Sequence, residues 1–373
     1  MLLRAICVLV LLGILIAGLW PFHAPRKEVS WLSHKNGLVF GKYGSIVSAG
    51  PFKAHRLQAD GSCSIEIRLE PSGVKASGTI LAFYWPESRV APFALRQSLG
   101  DLELLRRSDD PVHQGKRAKV YVDDLFLSRQ QVVLVTISAG RSGTTIYADG
   151  TLVKKAPNFR LSSEELTGQL VIGNAPATTD EWAGQVSGLT LYDRELTVDE
   201  VSKHYESWTK GKQASLAESD GAVAYYLFNE GEGNVVHNRV DPATDLLIPE
   251  RFFVLQEEFL ERPWNEYRPD WNYWKDVGIN ITGFIPLGFF FCAYFLTVRT
   301  TKRAVLSTIA FGFAVSLTIE VSQAFLPTRD SGMTDVITNT LGTALGAIVC
   351  SWVAQHEWLT RARIRVPFLA KEM

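Results

Sequence analysis

The sequence predicts two unlike parts, an all-β sandwich of jelly-roll type and an all-α transmembrane bundle, and three observations predict them. Long apolar stretches lie only toward the two ends of the 373-residue chain. Between them, short runs of alternating apolar and polar residues recur at close spacing, separated by turn residues. The length itself exceeds one ordinary domain. Charge is balanced, with 38 Lys+Arg against 39 Asp+Glu, and no basic block is long enough to track a phosphate backbone. Nucleic acid is therefore not an expected partner, and the lipid bilayer is.

Residues 1–21 form the first membrane element. From Leu2 to Trp20 the chain is apolar apart from Arg4, and about 20 such residues rising about 1.5 Å each cross a hydrocarbon core of roughly 30 Å. The segment is an anchor or a signal peptide. Ala17-Gly18-Leu19-Trp20-Pro21 lacks the pair of small residues that a cleavage site needs, which favours the anchor. Residues 276–355 carry three further apolar stretches, Val277–Val298, Ala304–Leu326 and Val336–Ala354, each long enough to span.

Orientation follows from the basic residues, which are retained on the cytoplasmic side of short loops. Arg4 precedes the first span, Arg299, Lys302 and Arg303 follow the second, and residues 356–373 form a basic tail with Arg361, Arg363, Arg365 and Lys371. The opposite turn, Pro327–Thr334, carries only Arg329. The pattern predicts an inner (cell) membrane, multi-pass protein of bacterial type with both termini cytoplasmic and residues 22–276 periplasmic or extracellular. Cys7, Cys292 and Cys350 fall in predicted spans and Cys63 is alone outside them, so no intramolecular disulfide framework is expected.

Residues 30–215 carry the sandwich pattern. Alternating runs occupy Cys63–Leu69, Thr79–Trp85, Phe93–Leu105, Lys119–Phe126, Gln131–Ser138, Thr144–Ala148, Gln169–Gly173 and Gly188–Tyr192. Asp149-Gly150 predicts a tight hairpin, because a two-residue turn there needs positive φ. Thr197, with Glu200 three residues on, predicts a capping box at the start of an amphipathic helix over Val198–Trp208.

Val135-Thr-Ile-Ser, Thr145-Ile-Tyr-Ala-Asp-Gly, Leu170-Val-Ile-Gly-Asn and Trp182-Ala-Gly-Gln-Val-Ser-Gly-Leu-Thr-Leu-Tyr occur in that order. They resemble a LamG-type, concanavalin A-like jelly roll over about residues 35–210. The resemblance implies binding of a glycan or a protein. Laminarinase-like enzymes of this fold carry Glu-x-Asp-x-x-Glu on one strand, which sets two acids on one face. That spacing is absent, which leaves binding or spacing as the expected role. Asp123-Asp124, Asp149 and Asp180 are candidate calcium ligands, with solvated turn acids as the alternative.

Residues 216–275 are read as a late strand and an aromatic-rich connector. Ala224-Tyr-Tyr-Leu-Phe-Asn-Glu-Gly-Glu-Gly-Asn resembles the opening strand and turn of a LamG domain, displaced to its end. Pro263-Trp-Asn-Glu-Tyr-Arg-Pro-Asp-Trp-Asn-Tyr-Trp then precedes a span. Its rings suit a membrane interface, or a stacking platform for sugar.

Polar residues inside the spans carry the sharpest signal, since an Asp at mid-helix costs about 2.5–3.5 kcal/mol on insertion scales. Glu320 and Gln323 share a face of the third span at i, i+3, roughly 9 Å below its outer end. Asp335 and Asn339 open the fourth span at i, i+4, and Gly342 and Gly346 continue that face as a small-residue seam for helix packing. With Asn280 near the outer end of the second span and Arg329 on the outer turn, these residues converge toward the outer leaflet.

Asp276-x3-Asn280-x3-Phe284-x-Pro286-Leu-Gly288, Glu320-x2-Gln323-x3-Pro327-x-Arg329 and Asp335-x3-Asn339-x2-Gly342 together resemble the VanZ-like membrane family over about residues 270–355. That family is named for a member associated with resistance to the glycopeptide teicoplanin. The resemblance brings no assigned reaction. Two readings of the cluster stay open. In one, Glu320 pairs with Arg329 and the amides hydrogen-bond across helices to fix packing. In the other, the carboxylate meets an envelope lipid, a lipid-linked glycan precursor or an amphipathic antibiotic, with Arg329 neutralising an anionic headgroup. An enzymatic variant makes Glu320 or Asp335 an acid/base on lipid-linked glycans, although no Ser-His-Asp set, metal-spaced His/Cys group or phosphate-binding glycine loop is present. The nearly apolar inner halves of the spans argue against a transport pore.

Overall fold

The computed structural model describes residues 1–53, 61–107, 117–128, 132–177, 180–210, 221–256, 259–267, 269 and 271–365. The chain divides into two units, Pro25–Gln256 and the pair Met1–Ala24 with Glu257–Met373. The first is all β with one substantial helix; the second is helical.

Among the described residues sixteen strands build the first unit: β1 Val29–Trp31, β2 Leu38–Phe40, β3 Ile46–Ser48, β4 Cys63–Pro71, β5 Ser77–Trp85, β6 Val90–Ser98, β7 Asp101–Arg107, β8 Arg117–Val122, β9 Val133–Gly140, β10 Gly143–Ala148, β11 Thr151–Ala156, β12 Gln169–Ile172, β13 Gly184–Tyr192, β14 Ala222–Tyr226, β15 Val235–Val236 and β16 Leu246–Leu247. One sheet has the order β1-β2-β13-β4-β9-β10-β11, with β14 also paired to β13. The other runs β15-β16-β3-β12-β5-β6-β7-β8. Strand alternation explains the sandwich. In β4, Cys63, Ile65, Ile67 and Leu69 enter the core, and in β9 Val133, Val135, Ile137 and Ala139 do the same, with Ile65 opposite Ile137. Trp182, Phe83, Phe93 and Tyr226 fill the space between the sheets.

The Asp149-Gly150 turn has φ +50° and +74°, the paired positive values of a tight hairpin between β10 and β11. The expected run Phe93–Leu105 is two strands, because Leu99, at φ +56°, and Gly100 reverse the chain and bring Ser98 opposite Asp101. The run Lys119–Phe126 stops as a strand at Val122, where Asp123-Asp124 turns into a short helix α2, Leu125–Ser128. Gln131 lies outside the described residues. The sheet unit reaches from Pro25 to Gln256 instead of 30–215, since the short strands β1 and β14–β16 add to both sheets. The expected connector 216–275 is thus divided between the two units.

Helix α3, Val198–Thr209, lies on the outer face of the first sheet, capped by Thr197 and Glu200 in a reciprocal box. Its Trp208 packs with Leu134 and Tyr225, and a Cβ added to Gly188 would meet the Trp208 ring at 2.3 Å. His204 carries a buried polar contact through Nδ1 to Glu66 Oε1 at 3.0 Å, and Tyr192 donates to Glu66 Oε2 at 3.2 Å.

The helical unit contains α1 Leu2–Leu19, a single turn α4 Pro263–Glu266, α5 Trp271–Leu296, α6 Thr301–Gln323 and α7 Met333–Arg365. Helices α1, α5, α6 and the Met333–His356 part of α7 are long and apolar enough to cross a membrane. Val10, Leu11, Ile14 and Leu15 of α1 pack on Phe284, Leu287, Val315 and Ile319 of α5 and α6. Helices α5 and α7 approach backbone to backbone. A Cβ on Gly342 would lie 2.1 Å from Ile281 O, one on Gly346 2.1 Å from Ile285 O, and one on Gly288 2.0 Å from Thr343 O.

A matched pair of substitutions tests this seam. Gly342→Ala is expected to destabilise the detergent-solubilised chain by about 1–3 kcal/mol despite the better helix propensity of Ala. Gly283→Ala, where nothing lies within 4 Å, is expected to be neutral or stabilising by up to about 1 kcal/mol. Thermal unfolding of the two variants side by side gives the comparison.

Candidate functional site

The site in the helical unit grows out of two helix ends. Helix α1 stops at Leu19, and the last carbonyls of a helix have no partner within it. Gln323 Nε2 donates to Gly18 O at 2.9 Å, and Arg329 donates through Nε and Nη2 to Trp20 O at 3.1 and 2.7 Å. A cation at a helix C-terminus also meets the negative end of its dipole.

Helix α7 begins at Met333, with its first N–H groups equally in need of partners. Glu320 Oε2 accepts from Gly332 N at 2.9 Å, Glu261 O from Met333 N at 2.8 Å, and Glu266 Oε2 from Thr334 N at 3.0 Å. The Thr334 hydroxyl also donates to Glu266 Oε2. Ser331 Oγ donates to Glu320 O at 2.8 Å, which ties the outer turn to α6. Asp335 lies in the first turn of α7, and the three carboxylates meet the positive end of that helix.

The remaining polar side chains cross between helices. Asn280 Nδ2 of α5 donates to Asp335 Oδ1 at 2.7 Å, and Asn339 Nδ2 of α7 to Ser316 Oγ of α6 at 3.0 Å. Glu320 is 1% exposed, Asn339 4% and Gln323 8%. Gln323 Oε1 and Asn339 Oδ1 are buried without a hydrogen-bond partner.

Of the six polar residues singled out in the sequence, Asn280 and Asp335 thus meet each other, while Glu320, Gln323, Arg329 and Asn339 each bond to a different partner, Gly332 N, Gly18 O, Trp20 O and Ser316 Oγ; Gly342 and Gly346 lie on the α5–α7 seam. Among the described residues no ion pair joins Glu320 to Arg329, whose guanidinium is engaged by the Trp20 carbonyl. Glu266, Ser316 and Ser331 were not singled out in the sequence. Glu266 sits among the aromatics that drew attention to Pro263–Trp274, and two serines in a polar turn and an apolar helix carry no signal of their own. Trp264, Tyr267, Trp271 and Trp274 are exposed, Trp271 at 80%.

A second polar array lies on the outer face of the β15–β8 sheet. Thr79, Arg96, Glu103 and Tyr121 stand opposite one another across β5, β6, β7 and β8. Arg96 grips both oxygens of Asp180 at 2.9 Å and donates to Glu103 Oε2 at 2.8 Å. Glu103 Oε1 receives Tyr121 OH at 2.8 Å and lies 3.1 Å from Lys119 Nζ. Asn174 Oδ1 holds Asp180 N at 2.8 Å, and its buried Nδ2 has no partner.

Of the acids considered for calcium, Asp180 is engaged by Arg96, Asp149 Oδ1 accepts from Leu134 N, Asp123 pairs with Lys154 at 3.6 Å, and Asp124 N donates to Asp101. No group of three or more His, Cys, Asp and Glu is placed to hold a metal among the described residues.

Comparisons with known proteins agree with this two-part plan. The sequence profile of the VanZ/LLP1 family matches residues 222–354. That of the concanavalin A-like lectin/glucanases superfamily matches residues 51–202. The chain thus joins a concanavalin A-like, LamG-type jelly roll to a VanZ-like C-terminal part that contains the membrane-type helices α5, α6 and α7 but not α1, the first profile starting where β14 begins. None of the curated proteins matches it.

Solved structures similar to the chain include a heptameric SAP-like pentraxin from Limulus polyphemus, at 16% identity and TM-score 0.31, covering 49% of this chain and 80% of that one. The receptor binding domain of botulinum neurotoxin D is similar at 15% identity and TM-score 0.34, covering 48% of this chain and 46% of that one. A putative carbohydrate binding protein from Bacteroides ovatus is similar at 12% identity and TM-score 0.37, covering 59% and 61%.

The Glu103 array predicts an acid limit for the sandwich. Burial alone would raise the Glu103 carboxyl, but hydrogen bonds from Tyr121 and Lys119 and the charges of Lys119 and Arg96 outweigh it and hold the group below the usual carboxylate range. A depressed carboxylate contributes stability above its unfolded value, about pH 4.3, and loses it as pH falls toward the lower folded value. Glu103→Gln is expected to flatten the fall in unfolding midpoint below about pH 4 relative to the parent chain, read by circular dichroism.

Proposed function

We propose that this is a cell-envelope protein of the inner (cell) membrane whose polar outer-leaflet site holds an envelope lipid, a lipid-linked glycan or an amphipathic antibiotic. Its LamG-type sandwich recognises a glycan or a protein outside the cytoplasm. The observation that carries the reading is the concentration of polar contacts at one end of an otherwise apolar bundle. Gln323 and Arg329 attach to the 18–20 segment, Glu320 and, from the 261–266 segment, Glu266 to the 332–334 segment, and Asp335 to Asn280 of α5. The exposed rings of Trp20, Trp264, Tyr267 and Trp271 lie in or next to the same segments, as side chains at a headgroup boundary do. Basic residues collect at the opposite ends of the helices, Arg4, Arg299, Lys302 and Arg303 among them, which assigns that side to the cytoplasm.

On this topology the sandwich lies outside the cytoplasm, and its polar Arg96–Glu103–Tyr121 face is the candidate surface for a glycan. A row of charged and hydroxyl groups beside an exposed tyrosine ring suits hydrogen bonding to, and stacking on, a sugar.

Binding of the purified full chain to an array of envelope glycans and lipid-linked precursors tests both halves. Arg96→Ala is expected to weaken glycan capture about tenfold, and Glu320→Gln to weaken capture of the lipid-linked forms by a similar factor. Capture unchanged by either substitution, in variants that still fold, would count against the assigned sites. Helix α1 is expected to be retained: its Gly18 and Trp20 carbonyls hold Gln323 and Arg329, so intact-mass measurement of the membrane-extracted protein should include residues 2–20.

A further inference from the structure

Among the described residues, the buried side-chain atoms without a partner near the 327–335 turn, the polar mouth of the bundle, bear on the chemistry of a ligand: two are amide oxygens, which only accept, and the third is Thr328 Oγ1, a hydroxyl that can turn to accept or donate. Gln323 and Asn339 both spend their NH2 groups on the protein, on Gly18 O and Ser316 Oγ, which leaves Gln323 Oε1 and Asn339 Oδ1 unpartnered in side chains more than nine-tenths buried. Glu320 Oε1 and Asp335 Oδ2 also receive no hydrogen bond among the described residues, their partner oxygens holding Gly332 N and Asn280 Nδ2.

The residues that carry these atoms share two helices, α6 and α7. Ser316, Glu320 and Gln323 lie at i, i+4 and i+7 on one face of α6, and Asn339 reaches that face through Ser316, one turn along α7 from Asp335. The carboxylates of Glu266, Asp276 and Asp330 lie within electrostatic range of Asp335, and those of Asp335 and Glu266 within range of Glu320. An anion is repelled by such a set. A group that brings positive charge and its own N–H donors satisfies both the charge and the buried acceptors.

Resting on the reading of this mouth as a ligand site, we propose that it binds a primary ammonium group. Glu320 Oε1 and Asp335 Oδ2 supply the counter-charge, and the amide oxygens of Gln323 and Asn339 accept the N–H donors. The ammonium has two sources, the headgroup of an aminolipid or a free amine. Arg329 is exposed and within electrostatic range of Glu320, where it meets the phosphate that a phospholipid carries and a free amine lacks.

The test uses the full chain in nanodiscs of phosphatidylglycerol containing a minor fraction of either phosphatidylethanolamine or phosphatidylcholine. The second keeps the positive charge and has no N–H. Lipid retained through purification is counted by native mass spectrometry, and free ethanolamine is tested for thermal stabilisation. About tenfold preferential retention of phosphatidylethanolamine is expected, the factor for a hydrogen bond to a charged group.

Glu320→Gln and Asp335→Asn should each remove the preference. Glu320→Gln keeps an oxygen for the Gly332 N–H, and the discrimination shown by the parent chain stands as a test even where a variant unfolds. Loss of retention in Arg329→Ala supports the lipid source. Stabilisation by ethanolamine that Arg329→Ala leaves unchanged supports the free amine. Equal retention of the three lipids, with no effect of ethanolamine, overturns the ammonium assignment. In that case, a Glu320→Gln effect on retention of a lipid-linked precursor would leave the ligand-site reading standing, and no such effect would remove both.

Discussion

A helix end placed at membrane depth has to find partners for its backbone groups inside the protein, because the hydrocarbon offers none. In the helical unit two helix ends, the C-terminus of α1 and the N-terminus of α7, engage Gln323, Arg329, Glu320 and Glu266. The signs follow from the helix dipoles: an amide and a guanidinium serve the carbonyls of α1, and two carboxylates serve the N–H groups of α7. Glu320 is buried in an apolar helix because Gly332 needs an acceptor there, and Ser331 adds a hydrogen bond to the carbonyl of the same residue. Arg329 is drawn to Trp20 and away from Glu320 for the same reason. The polar cluster is therefore first a way of closing helix ends. What remains after that closure is the second oxygen of each acid and the carbonyls of two amides.

The sandwich handles its charges by a different route. Glu66 is fully buried and takes contacts from His204 and Tyr192 beneath α3, so its side chain belongs to the docking of that helix. Glu103 lies on the opposite sheet and is shared among Arg96, Lys119 and Tyr121. Thr79, Arg96, Glu103 and Tyr121 stand in register across four antiparallel strands, one from each, with Lys119 added from the same strand as Tyr121, so the row exists only when the sheet is complete. That makes it a surface created by the fold, which a short peptide from any one strand would lack.

The legible parts of the sequence were those with a local cause. Glu320 and Asp335 stood out because an acid in an apolar run is costly wherever its partner lies. The Asp149-Gly150 turn and the Thr197 cap were readable because their chemistry is complete within four residues. The late strand at Ala224 was readable and is β14, while β1, β15 and β16 were harder, since two or three residues are too few to establish alternation and the short β15 and β16 owe their pairing to β3, almost 200 residues away in the chain. Glu266 was illegible for a related reason. Its role depends on Thr334 68 residues later, and its own neighbours are tryptophans and tyrosines that point to an interface. The hairpin at Leu99-Gly100 was missed because apolar alternation continues through it on both sides.

The glycine seam and the polar mouth are one construction. Gly342 touches Ile281 O, and the residue before Ile281 is Asn280, whose amide reaches Asp335 two turns up from Gly342 on α7. The close approach of α5 and α7 therefore sets the register at which Asn280 meets the acid. A bulkier residue at the seam pushes the helices apart and lengthens a 2.7 Å hydrogen bond at the mouth, while an acid left without that bond keeps both oxygens free and loses its orientation. Thr343 ties the third helix into the same contact, since it packs on Gly312 of α6 with its side chain and on Gly288 of α5 with its backbone. Three glycines and one threonine thus hold the spacing, and the Asn280–Asp335 hydrogen bond depends on it.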